Sequence, residues 1–400
     1  MPDISRRTEG LGTENAFVVL AEVEALKKKG GEVISFCIGQ PDFVTPVNTR
    51  EAAITAIRDG KTGYTPSAGI GPLREAAARE LGRMRNLDIR PDDIVVGAGC
   101  KPFIGYAIQC VTDYGAGHEV IYPTPGFPIY ESLTKAYGAV PVALPLRESR
   151  AYAFDPDELE ARINDRTRMV ILCSPQNPTG GILSGEDLEK IAAIIRKHDR
   201  IWVYSDEVYS RLVYDGPFRS IASLPGMQHR TIIADGASKT WAMTGWRIGY
   251  AASRPLAKHF ERWVTNTESC ASHPSQYAAL EALSGQQESA EEMKGTFLKR
   301  RNLIVKLLNE IPGVSCVMPG GAFYVWPNVT EACRMTGLTG SEELRRKLLH
   351  EAGIAVLADI HFGTPDKSEG QHIRFSYAAS TDAIQKGLGR MADWVKKNTK

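Results

Sequence analysis

Lys239 stands in the run Gly236-Ala237-Ser238-Lys239-Thr240, with Arg247 eight positions further on and Gly249 just beyond it. Small residues on both sides of a lysine let a flat ring and a phosphate come close to the backbone. A lysine amine attacks a carbonyl only when it is neutral, a state that burial and nearby cations favour. Arg247 would supply such a cation, and its planar fork suits a phosphate. The chemistry this spacing suggests is imine formation at Lys239 beside an anchored phosphate. Most lysines are solvated surface residues; the flanks of this one argue against that.

Three further runs could place polar groups around such a lysine. Ser174-Pro175-Gln176-Asn177-Pro178-Thr179-Gly180 follows an apolar strand and, taken alone, is a turn. Tyr204-Ser205-Asp206-Glu207-Val208-Tyr209 ends the next strand, where an acid is often no more than a helix cap. Gly97-Ala98-Gly99-Cys100-Lys101 opens a helical run and could present backbone N–H groups to an anion. A dinucleotide-binding fingerprint fits poorly there, because its third glycine position is Pro102.

Taken together, these runs resemble the class I/II aminotransferases, the largest branch of the fold-type I pyridoxal-phosphate enzymes. The family signature is a small-residue run, the Schiff-base lysine and an arginine eight residues on, followed by an apolar residue and glycine. Residues 236–249 meet it at every constrained position. The resemblance runs from about Arg6 to Ala379 and implies pyridoxal 5'-phosphate as cofactor, with Lys239 and Asp206 as the catalytic pair. Asp206 would pair with the pyridine nitrogen and keep it protonated. Asn177 and Tyr209 would share the ring oxygen, and the bond before the proline matching Pro178 is often cis in this family. Gly99, Cys100, Lys101, Ser238 and Arg247 would hold the phosphate. Phe127 would stack on the ring, and Tyr64 would reach the phosphate of a neighbouring subunit, making the enzyme a homodimer with shared sites. For the substrate, Arg374 would fork onto the α-carboxylate with Gly39 and Asn177 beside it. Cys100 stands where a small residue is more usual, and Gln40 where many relatives carry glutamate.

The elements that must position these residues read as an α/β fold. Ile94–Val96, Val120–Tyr122, Met169–Leu172, Ile201–Tyr204 and Thr231–Ala234 are short apolar runs, with amphipathic stretches such as Ser184–Lys197 between several of them. That alternation predicts a mainly parallel sheet flanked by helices. A helix over 14–30 and a strand over Val33–Ile38 precede this region. After it come a charged helix from Glu288, an aromatic strand Phe323–Trp326 and a final strand near Ile373–Tyr377. The expected partition is a large cofactor-binding domain over 45–285 and a small α+β domain from 1–44 and 286–400. Four hundred residues exceed what one hydrophobic core usually organises.

Composition excludes little and suggests no macromolecular partner. The formal net charge is +1 with the basic residues dispersed, which is no footprint for nucleic acid or a membrane. Seven scattered cysteines without a CxxC pair read as buried thiols of a reducing cytoplasm, and the eight histidines show no metal-ligand spacing. The opening residues lack an apolar core of signal-peptide length, so the expected location is the cytoplasm.

The resemblance therefore implies an aminotransferase that moves the amino group of an L-amino acid to a 2-oxo acid, 2-oxoglutarate first, in two half-reactions. An aspartate-type donor is expected because Lys101 matches a lysine that faces the distal carboxylate in the prokaryotic aspartate subgroup. Aromatic or other neutral donors are the alternative, because Gly12-Thr13-Glu14-Asn15-Ala16-Phe17 puts an acid and an aromatic where those relatives carry small hydroxylated residues. A carbon–sulfur β-lyase or racemase of the same fold is the rival chemistry, since cofactor contacts alone do not choose which bond breaks. A non-catalytic regulator is the rival outside enzymes, and it usually carries a DNA-binding segment.

Overall fold

A computed structural model of the chain describes residues 3–400 apart from residues 10 and 13. Among these, thirteen strands form. In chain order they are β1 (Ile34–Ser35), β2 (Ile94–Gly97), β3 (Glu119–Thr124), β4 (Val140–Arg147), β5 (Ala153–Phe154), β6 (Thr167–Cys173) and β7 (Trp202–Asp206). They continue with β8 (Thr231–Gly236), β9 (Gly249–Ala252), β10 (Tyr324–Val325), β11 (Ile354–Ala355), β12 (Leu357–Ala358) and β13 (Ile373–Ser376).

Eight of them make one sheet in the order β2-β9-β8-β7-β6-β3-β4-β5. The pairs from β8 through β7, β6 and β3 to β4 are all parallel. Strands β3 and β8 are buried along their whole length, as expected of apolar runs covered by helices on both faces. Strand β9 lies antiparallel between β8 and β2, so β2 again runs with β8. As a result β2, β6, β7 and β8 all end on one side of the sheet. A crevice outside the carboxyl ends of such strands is where open α/β sheets bind ligands.

The five apolar runs expected as strands are β2, β3, β6, β7 and β8. Strand β4 carries Pro141 and Pro145, residues that sheets usually confine to their edges. Its far side meets only the two residues of β5, which leaves room for residues that cannot donate to a ladder. Helix Gly185–Arg196 begins with a reciprocal cap between Ser184 and Asp187.

The strands from the two chain ends pair with one another and not with this sheet. β1 pairs in parallel with β11, and β13 lies between β10 and β12 in a separate antiparallel sheet. Phe36 packs at 5.4 Å from Phe375, in a core built chiefly from residues 297–395. The expected strand Val33–Ile38 is regular over Ile34 and Ser35 alone, because β11 offers only two partners. Helices Asn15–Lys28 and Glu288–Asn309 form close to where they are expected. All seven cysteines are free. Among the described residues no helix is long and apolar enough to cross a membrane.

Under the carboxyl ends of β7 and β8 lies a buried ionic cluster. Arg85, fully inaccessible, donates to Glu207 at 2.5 Å and to Asp235 at 2.8 Å. Ser205 and Ser220 donate to Glu207, and Ser210 donates to Asp235. The two acids follow Asp206 and precede Gly236, so the cluster ties together the two strand ends that matter most for the site. Arg85→Ala strands two buried carboxylates, and unfolding stability should fall by about 3–5 kcal/mol. The check is the urea midpoint of the variant against the native protein.

Candidate active site

The strand ends surround a cavity of about 470 Å³. Eleven of the thirteen residues singled out from the sequence line it; Gly99 and Tyr64 are the exceptions. Gly99 sits just behind the wall and Tyr64 lies on the surface, 88% exposed.

Lys239 rides on the single helical turn Ala237–Thr240 that follows β8. Its Nζ donates to the Gly39 carbonyl at 2.7 Å, which links the middle of the chain to its start. Burial holds the amine down at about 8, offset partly by Glu14 and reinforced by Arg374. A large fraction of Lys239 is therefore neutral in the pH range where an ordinary lysine is charged.

The turn after β2 and the turn before β9 face each other beside it. Gly99 has φ +92°, a conformation that favours glycine, and a Cβ there would strike the Arg247 guanidinium. A Cβ on Gly249 would run into Gly99 and Cys100. Arg247 is itself left-handed at φ +56°, an uncommon state for a side-chain-bearing residue and one that recurs at binding sites. Its fork donates to the carbonyls of Thr244 at 2.9 Å and Ala98 at 3.0 Å. Neither partner is an anion, so its charge stays available next to the start of helix Lys101–Val111. The Cys100 thiol turns away and donates to the Asp235 carbonyl at 2.6 Å, which leaves its main chain rather than its side chain facing the turn.

Asp206, at the end of β7, is buried and accepts a hydrogen bond from the Tyr130 hydroxyl at 2.7 Å. Burial pushes its carboxyl up to about 6, although the Tyr130 bond and the Val208 amide pull the other way. A carboxylate held at such a cost is poised to take a cationic N–H partner. Arg374, on β13, has its Nη1 on Asn177 Oδ1 at 2.9 Å and a second nitrogen on the Cys37 carbonyl. It stacks over Tyr324 and Phe362 at 4.7 and 4.8 Å, and its buried Nε has no partner among the described residues. No carboxylate pairs with it among those residues, so it is a buried cation ready for an anion. Because Arg374 takes the oxygen of the Asn177 amide, the NH2 of that amide is left to donate elsewhere. The Asn177–Pro178 bond is cis, as the resemblance implies. The Tyr209 hydroxyl meets that of Tyr324 at 2.8 Å.

Two of these contacts escaped the sequence reading. Tyr130 and Tyr324 lie in stretches without a motif, Ile129–Ala136 and β10, and only folding brings them to Asp206 and Tyr209. A third feature was read singly: Lys101 pairs with Glu14, and both line the cavity. Phe17 lines the cavity as well, whereas Thr13 falls outside the described residues.

A mixed α/β sheet with a lysine, an arginine-backed glycine turn and a buried acid at its strand ends defines an enzyme that handles a carbonyl compound and an anion together. Residues 31–389 match the family model for aminotransferase class I and II. The aspartate aminotransferase of Geobacillus stearothermophilus is 37% identical over 97% of this chain and 98% of its own length. The crystal structure of the aspartate aminotransferase from Rhizobium meliloti superposes with a TM-score of 0.93 at 32% identity, covering 100% of both chains. The aromatic aminotransferase of Pyrococcus horikoshii superposes at 0.86 and 36% identity, over 94% of this chain and 99% of that one. The chain belongs to the class I and II aminotransferases, and it is an aminotransferase.

Proposed function

We propose that this enzyme moves the amino group of an aspartate-type L-amino acid to a 2-oxo acid, 2-oxoglutarate first, using pyridoxal 5'-phosphate held on Lys239. The observation that carries the reading is one cavity with a lysine held near 8, a buried acid and a buried arginine that lacks an anionic partner. The donor set fits that cofactor. Arg247, Ser238 and the main chain at Gly99, Cys100 and Lys101 suit its phosphate, and the crowded Gly99–Gly249 contact suits a close backbone approach. Asp206 suits its ring nitrogen, Asn177 and Tyr209 its ring oxygen, and Phe127 its flat face.

When bound, pyridoxal phosphate supplies an electron sink for the charge left at Cα as its bond to hydrogen breaks. The chain's own residues do the rest. Arg374 forks onto the α-carboxylate with the Gly39 main chain beside it and fixes which substituent of Cα faces Lys239. The Lys239 amine would take the Cα proton as base and return it as acid. Asp206 would hold the ring nitrogen protonated, with Tyr130 orienting its carboxylate. Two half-reactions on one site give ping-pong kinetics.

In this reading residues 45–285 form the cofactor-binding domain, and residues 1–44 with 286–400 form the small one. The protein acts as a cytoplasmic homodimer. Support for the dimer is the exposed Tyr64, with Val44, Val47 and Ile57 also exposed nearby in sequence. Sedimentation at micromolar concentration tests it, with a monomer as the contrary result. An aromatic donor is the second reading, favoured by Phe17 and Phe127 along the cavity. A panel of amino donors against 2-oxoglutarate decides between the two. Ammonia and pyruvate released from a cysteine conjugate would instead indicate a lyase.

Arg374→Lys should raise KM for the amino donor about tenfold to a hundredfold with a smaller change in kcat, since a point ammonium cannot replace a fork. Steady-state kinetics at fixed 2-oxoglutarate measure this. An unchanged KM would move the carboxylate site elsewhere.

A further inference from the structure

Six charged side chains besides His361 line the cavity, and four have a task in the reading above: Asp206, Lys239, Arg247 and Arg374. Glu14 and Lys101 remain. They come from two separate helix starts, the residue before helix Asn15–Lys28 and the first residue of helix Lys101–Val111. Their side chains form an ion pair, with Glu14 19% and Lys101 45% accessible. Lys101 Nζ also lies 5.6 Å from the centre of the Phe127 ring, and Ile104 and Phe17 line the same cavity. Glu14 is felt beyond Lys101 as well, since its charge acts on both Lys239 and Tyr324.

A substrate side chain that reaches this place meets a cation and an anion side by side. A distal carboxylate bonded to Lys101 comes to lie beside Glu14, which sets two negative groups facing each other in a half-desolvated site. A distal ammonium has the mirror problem with Lys101. A carboxamide has neither, because its oxygen accepts from Lys101 while its NH2 donates to Glu14. Inserted into the pair, it keeps all three groups bonded.

We infer that Glu14 and Lys101 form a distal subsite for a carboxamide, so that asparagine is an amino donor for this enzyme and Glu14 selects amide over acid. The inference rests on the aspartate-type reading proposed above and narrows it. In the reaction the amino group leaves the asparagine Cα and is retained by the enzyme, and water supplies the oxygen of the new carbonyl. The product is 2-oxosuccinamate with its amide intact, so no ammonia is released.

The experiment is a single-turnover reaction of the holoenzyme with asparagine, aspartate or phenylalanine, in the native protein and in Glu14→Gln and Glu14→Ser. It is paired with calorimetric titration of two unreactive analogues, succinamate and succinate. The expected result is that asparagine reacts at least as efficiently as aspartate, and that both variants shift the ratio about tenfold or more towards aspartate, the worth of one charge-assisted hydrogen bond. Succinamate should bind the native protein more tightly than succinate, and the order should narrow or reverse in Glu14→Gln. Lys101→Ala should weaken both donors by about tenfold to a hundredfold, since Lys101 reads the carbonyl oxygen of each. If aspartate is preferred and the ratio does not move on changing Glu14, the subsite is not a carboxamide site, while the aspartate-type reading stands. If phenylalanine alone reacts, both readings fall.

Discussion

Lys239→Ala should abolish turnover, a loss on the order of a millionfold, while the protein still takes up pyridoxal phosphate without a covalent bond. The size follows from two tasks carried by one amine. It holds the cofactor, and it moves the proton at Cα. The other cations of the cavity interior are guanidinium groups, which stay charged and cannot act as bases. Glu14 and Lys101 are engaged with each other. Borohydride reduction of the native holoenzyme followed by peptide mapping should find the label on Lys239, and a label on another lysine sinks the assignment. The pH dependence has a definite sign. Burial lowers the amine to about 8, so the neutral, reactive form gains as pH rises. The rate of covalent attachment to the cofactor-free protein should therefore climb between pH 7 and 9 with a midpoint near 8. An ordinary solvated lysine would place that midpoint above 10.

Asp206→Ala should lower both half-reaction rates by roughly a thousandfold or more without unfolding the protein. The carboxylate is buried, and the cost of burying it shows in a carboxyl raised to about 6. Removing it leaves the Tyr130 hydroxyl without its acceptor, a penalty of about 1–3 kcal/mol that relief of the buried charge offsets. Activity has no such compensation, because the ring nitrogen loses the partner that keeps its proton. Stopped-flow rates for each half-reaction, read beside a thermal melt, separate the two effects. Near-normal rates in a folded Asp206→Ala protein would remove Asp206 from the chemistry. Asp206→Glu, which keeps the charge but shifts its position, should recover part of the rate.

Much of the site was legible because its residues sit in short segments with strong local constraints. Lys239 lies among residues kept small, Asp206 follows a strand of apolar residues, and Asn177 opens a proline–glycine turn. Each sits just past a strand that reads as buried, and parallel strands of one sheet deliver their carboxyl ends to a common edge. Sequence order and strand type together thus foretell that these three groups converge. Tyr130 and Tyr324 were not legible for the opposite reason. A tyrosine on a helix or a short strand has no local signature, and its hydroxyl finds a partner only through packing.

The amino-acid sequence by itself determined the family, the alternation of strands and helices, and the chemical types gathered round the lysine. These depend on local spacing and on apolar periodicity, which act within a few residues. Only the tertiary structure decided that β9 would run against its neighbours and bring Arg247 onto Ala98 and Gly99, or that Arg374 and the Cys37 carbonyl would meet from opposite ends of the chain. It also decided that Arg85 would pin β7 to β8, and that Glu14 would close on Lys101. Such pairings join residues 87 to 337 positions apart. Over that distance burial and charge complementarity in the folded core choose the partners, and local sequence preference does not.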